Sequence, residues 1–288
     1  MKNKLCDIHN ILEIKRRFNF RASKCLGQNF LINREIAFKI SANSGVNKNT
    51  GVLEIGPGIG SLTFELALIS KKVVCIEIDK KLINVLKHTL KDFNNIKVIN
   101  ADILKLDLAK IIKEEFSNMQ VVVCANIPYY ITSNIIMRFL EEKINIKSLT
   151  FMLQKEVAQR LIALPGSPGC GSISVSIRYF SIPELLFNVS RENFMPVPKV
   201  DSSVIKFKIK KEPNLEIKNK ELFFKIVKAV FSEKRKAIKN PLHTRTNFSK
   251  QDVLLALEGA KISPLLRAEH LNMEKFVRLS NVMSKLGK

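Results

Sequence analysis

Between residue 52 and about residue 155, short apolar runs rich in β-branched residues alternate with longer stretches whose apolar positions fall three and four apart. The runs at 52–55, 73–78, 96–99, 121–125 and 148–153 predict strands, and the stretches at 61–69, 80–93, 107–116 and 133–142 predict amphipathic helices. Repeated strand-helix units imply a parallel sheet with helices on both faces. After Leu164 the pattern changes. Segments 171–180, 185–189 and 202–209 are β-rich and set off by Pro165-Gly166 and Pro168-Gly169, which predicts strands that finish the sheet, one of them antiparallel. Residues 210–214 read as a linker, and 222–231, 234–242, 251–256 and 273–286 all carry helical period. The expected organisation is an α/β domain over 1–212, with an N-terminal arm at 1–23, followed by a small all-helical domain over 213–288.

Composition sharpens this outline. A chain of 288 residues, 46% hydrophobic, can bury roughly three quarters of its unfolded surface, enough for one large core and a smaller companion. No apolar run approaches the ~20 residues that span a bilayer, and no secretory leader is visible, so a soluble protein is expected. Cys6, Cys25, Cys75, Cys124 and Cys170 form an odd, scattered set without a C-x-x-C pair, which predicts free thiols in a reducing cytoplasm. Lys and Arg number 48 against 26 acids, a net charge of +22. Such an excess favours a polyanionic partner, nucleic acid first, although a Lys-rich genome accounts for part of it.

The strand at 52–55 runs into Gly56-Pro57-Gly58-Ile59-Gly60, with Ser61-Leu62-Thr63 opening a helix behind it. Glycines let a backbone turn sharply and approach a ligand without a Cβ in the way. The G-x-G-x-G spacing departs from the dinucleotide fingerprint, and there is no Lys-Ser/Thr pair of a P-loop. Alone, the turn is also compatible with a tight junction that binds nothing. Glu77 ends the next strand, where a carboxylate can accept both ribose hydroxyls of a nucleoside, and Asp102 follows the third, where it can accept from an adenine amine. Asp79 and Asp107 read as a helix cap and a solvated first-turn residue. Either acid alone is an ordinary surface charge; a glycine turn and two acids at three successive strand ends point to a ligand crevice.

The fourth strand ends in Asn126-Ile127-Pro128-Tyr129. An exocyclic adenine amine is a poor nucleophile because its lone pair is delocalised into the ring. The Asn126 side-chain oxygen and the Ile127 carbonyl, both acceptors, would localise that pair; Pro128 would fix the turn and Tyr129 would stack on the extruded base. The alternative is a strand-to-helix turn with a buried aromatic. Tyr130 reads as a packing residue.

With these residues in view, the chain resembles the ribosomal RNA adenine dimethyltransferase family over nearly its whole length. The stretch Lys24-Cys25-Leu26-Gly27-Gln28-Asn29-Phe30-Leu31 is similar to the family's N-terminal motif, and the resemblance implies that Asn29 and Leu31 contact S-adenosylmethionine, as do Gly56, Glu77, Asp102 and Asn126, with Gly58 in the same turn. Phe194-Met195-Pro196-Val197-Pro198 resembles a further motif whose Phe helps enclose the target base, although by composition Phe194 is a core residue. The implied fold is Rossmann-like, of the class I S-adenosylmethionine-dependent methyltransferases. The implied reaction is two methyl transfers to each of two neighbouring adenines near the 3′ end of small-subunit ribosomal RNA, free or in a pre-assembled subunit, leaving S-adenosylhomocysteine. A sulfonium methyl is already activated, so no metal is expected. His9, His88, His243 and His270 lie outside the motifs, leaving no evident general base.

Residues 232–240 place Lys234, Arg235, Lys236 and Lys239 within six positions and resemble the family's C-terminal basic segment; Arg16, Arg17 and Arg21, with Lys15, cluster beside the N-terminal motif. Both clusters suit RNA phosphates, and both equally suit a solvated helix face. A monomer is expected. Two other readings stand beside the first: a large-subunit adenine methyltransferase of the macrolide-resistance type, and a non-catalytic RNA-binding assembly factor that has kept the fold.

Overall fold

The structure is a computed structural model that describes residues 3–23, 26–127, 132–142, 144–212 and 215–287. In chain order the elements are Ile8–Arg17 (α1), Phe30–Leu31 (β1), Arg34–Asn43 (α2), Thr50–Ile55 (β2), Ser61–Ile69 (α3), Lys72–Glu77 (β3), Lys80–Thr89 (α4), Ile96–Asn100 (β4), Leu108–Phe116 (α5), Gln120–Asn126 (β5), Thr132–Glu141 (α6) and Ser148–Gln154 (β6). Lys155–Ile162 (α7), Ser172–Phe180 (α8), Ser181–Val189 (β7), Phe194–Met195 (β8) and Ser202–Ile209 (β9) follow, then Lys220–Ser232 (α9), Lys239–Arg245 (α10), Lys250–Gly259 (α11) and Met273–Leu286 (α12).

Seven strands form one sheet in the order β4-β3-β2-β5-β6-β9-β7. β4 to β6 are parallel, and β9 runs antiparallel between β6 and β7. The five predicted parallel strands and the antiparallel finish are therefore present. Every residue of β2 is buried, as a central parallel strand covered on both faces requires. Its alternation sorts the layers. Val52 packs with Ile40 of α2 and Leu62 and Leu66 of α3 on one face, while Gly51 on the other lies against the Phe116 ring of α5.

The N-terminal arm packs into this unit. Asp7 caps α1, Ile11 is fully buried, and Asn3 donates to the Ser61 carbonyl and to Glu65 Oε1, both at 3.0 Å. Two short strands missed by the periodicity, β1 and β8, pair antiparallel with Leu31 opposite Phe194.

The chain divides into two compact units, Met1–Ala158 with Ser181–Ile209, and Gln159–Phe180 with Lys210–Lys288. Residues 159–180, expected in the sheet domain, thus belong to the helical unit. The expected strand at 171–180 is instead helix α8. Its β-branched and aromatic residues favour a strand, but Val175 and Tyr179, four apart, both enter a core with Phe223, Val227, Leu257 and Phe276, and tertiary burial overrides propensity. The helix expected over 234–242 is also corrected: α9 ends at Ser232, Lys234 to Lys236 lie in a turn, and α10 starts at Lys239. Pro241 has no N–H to give and is tolerated only in a first turn, so the helix must begin anew there. Among the described residues no helix is long and apolar enough to cross a membrane.

Candidate cofactor and adenine site

The carboxyl ends of β2, β3, β4 and β5 open onto one cavity of about 200 Å³ within the sheet unit. Its wall includes Asn29, Leu31, Gly56, Gly58, Glu77, Asp102, Asn126 and Ile127, so eight residues predicted from sequence are brought together. Pro128 and Tyr129 lie outside the described residues, as do Cys25 and Tyr130. Phe194 is not in this wall; at 1% exposure it packs among Leu31, Ile40 and Met152. There it lies beside Leu31, its partner across the β1–β8 pair.

The turn after β2 is held by glycine. Gly56, Gly58 and Gly60 have φ of 66°, 62° and 95°, a region that side chains rarely adopt. Gly56 N–H donates to the Ile76 carbonyl at 2.9 Å, keeping the turn joined to β3. Gly58 N–H donates to Glu77 Oε2 at 3.2 Å, and Asp79 N–H donates to Glu77 Oε1 at 2.8 Å. Glu77 is thereby aimed by the backbone, with lone pairs left on both oxygens. Burial raises its pKa, and the Asp79 and Gly58 N–H donors work against that rise. Asp79 caps α4 as expected and also accepts from Gln28 Nε2 at 2.9 Å, which ties the N-terminal motif to the β3 end. Asp107, expected in a first turn, caps α5 through Lys110 N–H.

Asp102 Oδ1 accepts from Leu104 N–H at 2.9 Å and so is held at the mouth, where Ile78 is 48% exposed and Leu104 36%. Asn126 Nδ2 donates to the Asn29 carbonyl at 3.2 Å, and Asn29 Nδ2 donates to the Gly27 carbonyl at 3.1 Å. The Asn126 amide is oriented by that bond, which leaves its Oδ1 as an acceptor at the end of β5.

These residues fit S-adenosylmethionine. An acid at the end of β3 suits a ribose diol, Asp102 between exposed Ile78 and Leu104 suits a purine, and the positive-φ glycines leave open backbone, since a Cβ on Gly56 would meet only the Asn126 carbonyl, at 4.0 Å. Sequence reasoning gave no part to Gln28, Ile78 or Glu54. For Glu54 the signal was present: an acid inside an apolar run that reads as a strand buried on both faces.

Arg16 and Arg17 close α1 and are exposed, as is Arg21. In the helical unit Lys234, Arg235 and Lys236 are exposed, Lys236 paired with Glu233, and Lys239 is half-buried.

Comparison with known proteins agrees with this geometry. The family model described as ribosomal RNA adenine dimethylase matches residues 19–285. Proteins named ribosomal RNA small subunit methyltransferase A are 44% identical over 93% of both chains in Alkaliphilus metalliredigens and 40% identical over 94% of both chains in Clostridioides difficile. Among solved structures, a dimethyladenosine transferase from Plasmodium falciparum matches at a TM-score of 0.75 with 28% identity, covering 89% of this chain and 98% of its own. A 23S rRNA methyltransferase, ErmE, matches at 0.69 with 28% identity, covering 89% of this chain and all of its own. The fold is that of the class I S-adenosylmethionine-dependent methyltransferases. The chain belongs to the ribosomal RNA adenine dimethylase family.

Proposed function

We infer that this protein is an S-adenosylmethionine-dependent dimethyltransferase acting on two adjacent adenosines near the 3′ end of small-subunit ribosomal RNA. The observation that carries the reading is the pairing, around one cavity, of the Gly56 turn and Glu77 with an Asn126 whose amide nitrogen is occupied and whose oxygen is left to accept. When bound, S-adenosylmethionine supplies an activated methyl group. Gly56, Gly58, Glu77, Asp102, Asn29 and Leu31 hold it, and Asn126 Oδ1 with the Ile127 carbonyl accepts the hydrogens of the adenine amine and turns its lone pair towards the methyl. Tyr129 and Pro128 complete the base site, and Phe194, beside the cavity-lining Leu31, helps to enclose the base. The amine's proton passes to solvent once the product cation has formed. Arg16, Arg17 and Arg21, and separately Lys234, Arg235, Lys236 and Lys239, bind RNA phosphates. The protein works as a cytoplasmic monomer on free or partly assembled small-subunit RNA.

The small-subunit relatives, at 40–44% identity, favour that substrate over the large-subunit one. Mass spectrometry of nucleosides, after incubation of unmethylated small and large subunits with the protein and labelled cofactor, tests the assignment. Dimethyladenosine in small-subunit RNA is expected. Label in large-subunit RNA alone would overturn the substrate, and no transfer despite cofactor binding would make the protein a non-catalytic assembly factor.

A further inference from the structure

Glu54 lies in the middle of β2 and is 1% exposed, yet it forms part of the cavity wall beside Gly56, Ile76 and Glu77. Register sets Cys75 of β3 and Cys124 of β5 on either side of it, on the same face of the sheet. The Cys75 thiol donates to Glu54 Oε2 at 3.6 Å, and the Thr63 hydroxyl of α3 also faces it. Both thiols are buried with raised pKa and stay protonated. The charged groups of the covering elements are engaged elsewhere. Arg34 of α2 pairs with Glu65 of α3 at 3.1 Å, and Lys206 of β9 donates to the Asn43 carbonyl at 2.8 Å. The remaining neighbour, Glu77, repels it. Among the described residues no cation pairs with Glu54, and a buried carboxylate without one is costly.

Burial pushes the Glu54 pKa up to about 7; the nearby Thr63 hydroxyl and the Cys75 thiol oppose the rise and Glu77 adds to it. The carboxyl is thus poised between its two forms, on a residue that contributes to the wall of a cavity that takes a cation. S-Adenosylmethionine carries a sulfonium charge that its thioether product has lost.

Building on the S-adenosylmethionine reading above, we propose that Glu54 distinguishes charged cofactor from spent product: its carboxyl releases a proton to solvent as the cofactor enters and recovers one when the product is left. On entry the O–H bond breaks and its electron pair stays on oxygen; in the product complex the bond re-forms with a proton from solvent. The two exchanges cancel over a turnover, leaving the one proton that the methylated amine surrenders. Below the carboxyl's own pKa, cofactor affinity rises with pH by up to about tenfold per unit and then levels, while product affinity changes less.

Calorimetric titration of the full-length protein in two buffers of different ionisation enthalpy, near pH 6.5, reads the protons exchanged per ligand bound. Wild-type protein is expected to release up to about one proton with S-adenosylmethionine and markedly less with S-adenosylhomocysteine, and Glu54→Gln to release none. Equal release by wild type and Glu54→Gln, or equal release with both ligands, overturns the proposal while leaving the cofactor site standing. Failure of wild type to bind either ligand overturns both. Should Glu54→Gln not fold, difference infrared spectroscopy on the wild type decides: loss of a protonated-carboxyl band on adding cofactor, and its return with product, is expected. An unchanged spectrum overturns the proposal.

Discussion

Removing the Asn126 side chain tests the adenine site most directly. Asn126→Ala deletes two things: the hydrogen bond from Nδ2 to the Asn29 carbonyl at 3.2 Å, and the Oδ1 acceptor at the end of β5, which takes no donor among the described residues. The first is a ground-state contact worth about 1 kcal/mol, and its loss loosens Asn29 and costs cofactor affinity roughly fivefold. The second matters where positive charge grows on the amine. A preorganised partner of that kind contributes about 2.7–4 kcal/mol to a transition state, or roughly a hundred- to a thousandfold in rate. Single-turnover transfer of labelled methyl to unmethylated small subunits, at saturating cofactor, separates the two. Transfer is expected to fall at least about a hundredfold with RNA affinity nearly unchanged. A rate within tenfold of wild type would show that the amine is activated elsewhere, and a parallel collapse of RNA binding would reduce Asn126 to a structural role.

Four further outcomes are expected. Glu77→Ala strands the Gly58 and Asp79 N–H groups and should weaken cofactor binding by roughly ten- to a hundredfold by calorimetry; an unchanged dissociation constant counts against the ribose assignment. Glu54 ionises with difficulty in the fold, so its contribution to stability is fully present below its unfolded pKa and is lost as pH rises through about 7. In urea melts without cofactor, Glu54→Gln should therefore gain on wild type, on the order of 3 kcal/mol, between pH 4.5 and 8; parallel curves would contradict the burial argument. Gly51→Ala would set a Cβ 2.2 Å from the Phe116 ring and should destabilise by about 1–3 kcal/mol, with partial recovery in the double variant carrying Phe116→Leu. Replacing Lys234 and Arg235 with Ala should lower the salt dependence of RNA binding by about two in slope, and an unaltered slope would place the phosphates elsewhere.

The inner parallel strands β2, β3, β5 and β6 were legible because burial on both faces leaves unbroken apolar runs, and the glycine turn and the strand-end acids because their positions follow from the sheet itself. The misreadings have a common cause. Segment 172–180 carries strand-like residues, and only its place in the helical core, through Val175 and Tyr179, makes it a helix. The turn at 234–236 depends on one proline further along, against a continuous helical period. β1 and β8 are too short to show a period, and what defines them is each other. For Phe194 the motif suggests a base contact, and what the sequence could not show is that it packs among Leu31, Ile40 and Met152, which line the cavity. Glu54 carries a signal without an address: a lone acid in an apolar run shows neither what it faces nor that the cavity reaches it.

Leu31 and Phe194 stand some 160 residues apart along the chain and face each other across one short ribbon. Contacts between residues so far apart in sequence form slowly, because the chain between them must first be brought round. The cavity-lining Leu31 is thus braced from one side by a segment made well after the parallel strands. A chain that ended before β8 would leave Leu31 without its strand partner, and its hold on the donor molecule should weaken.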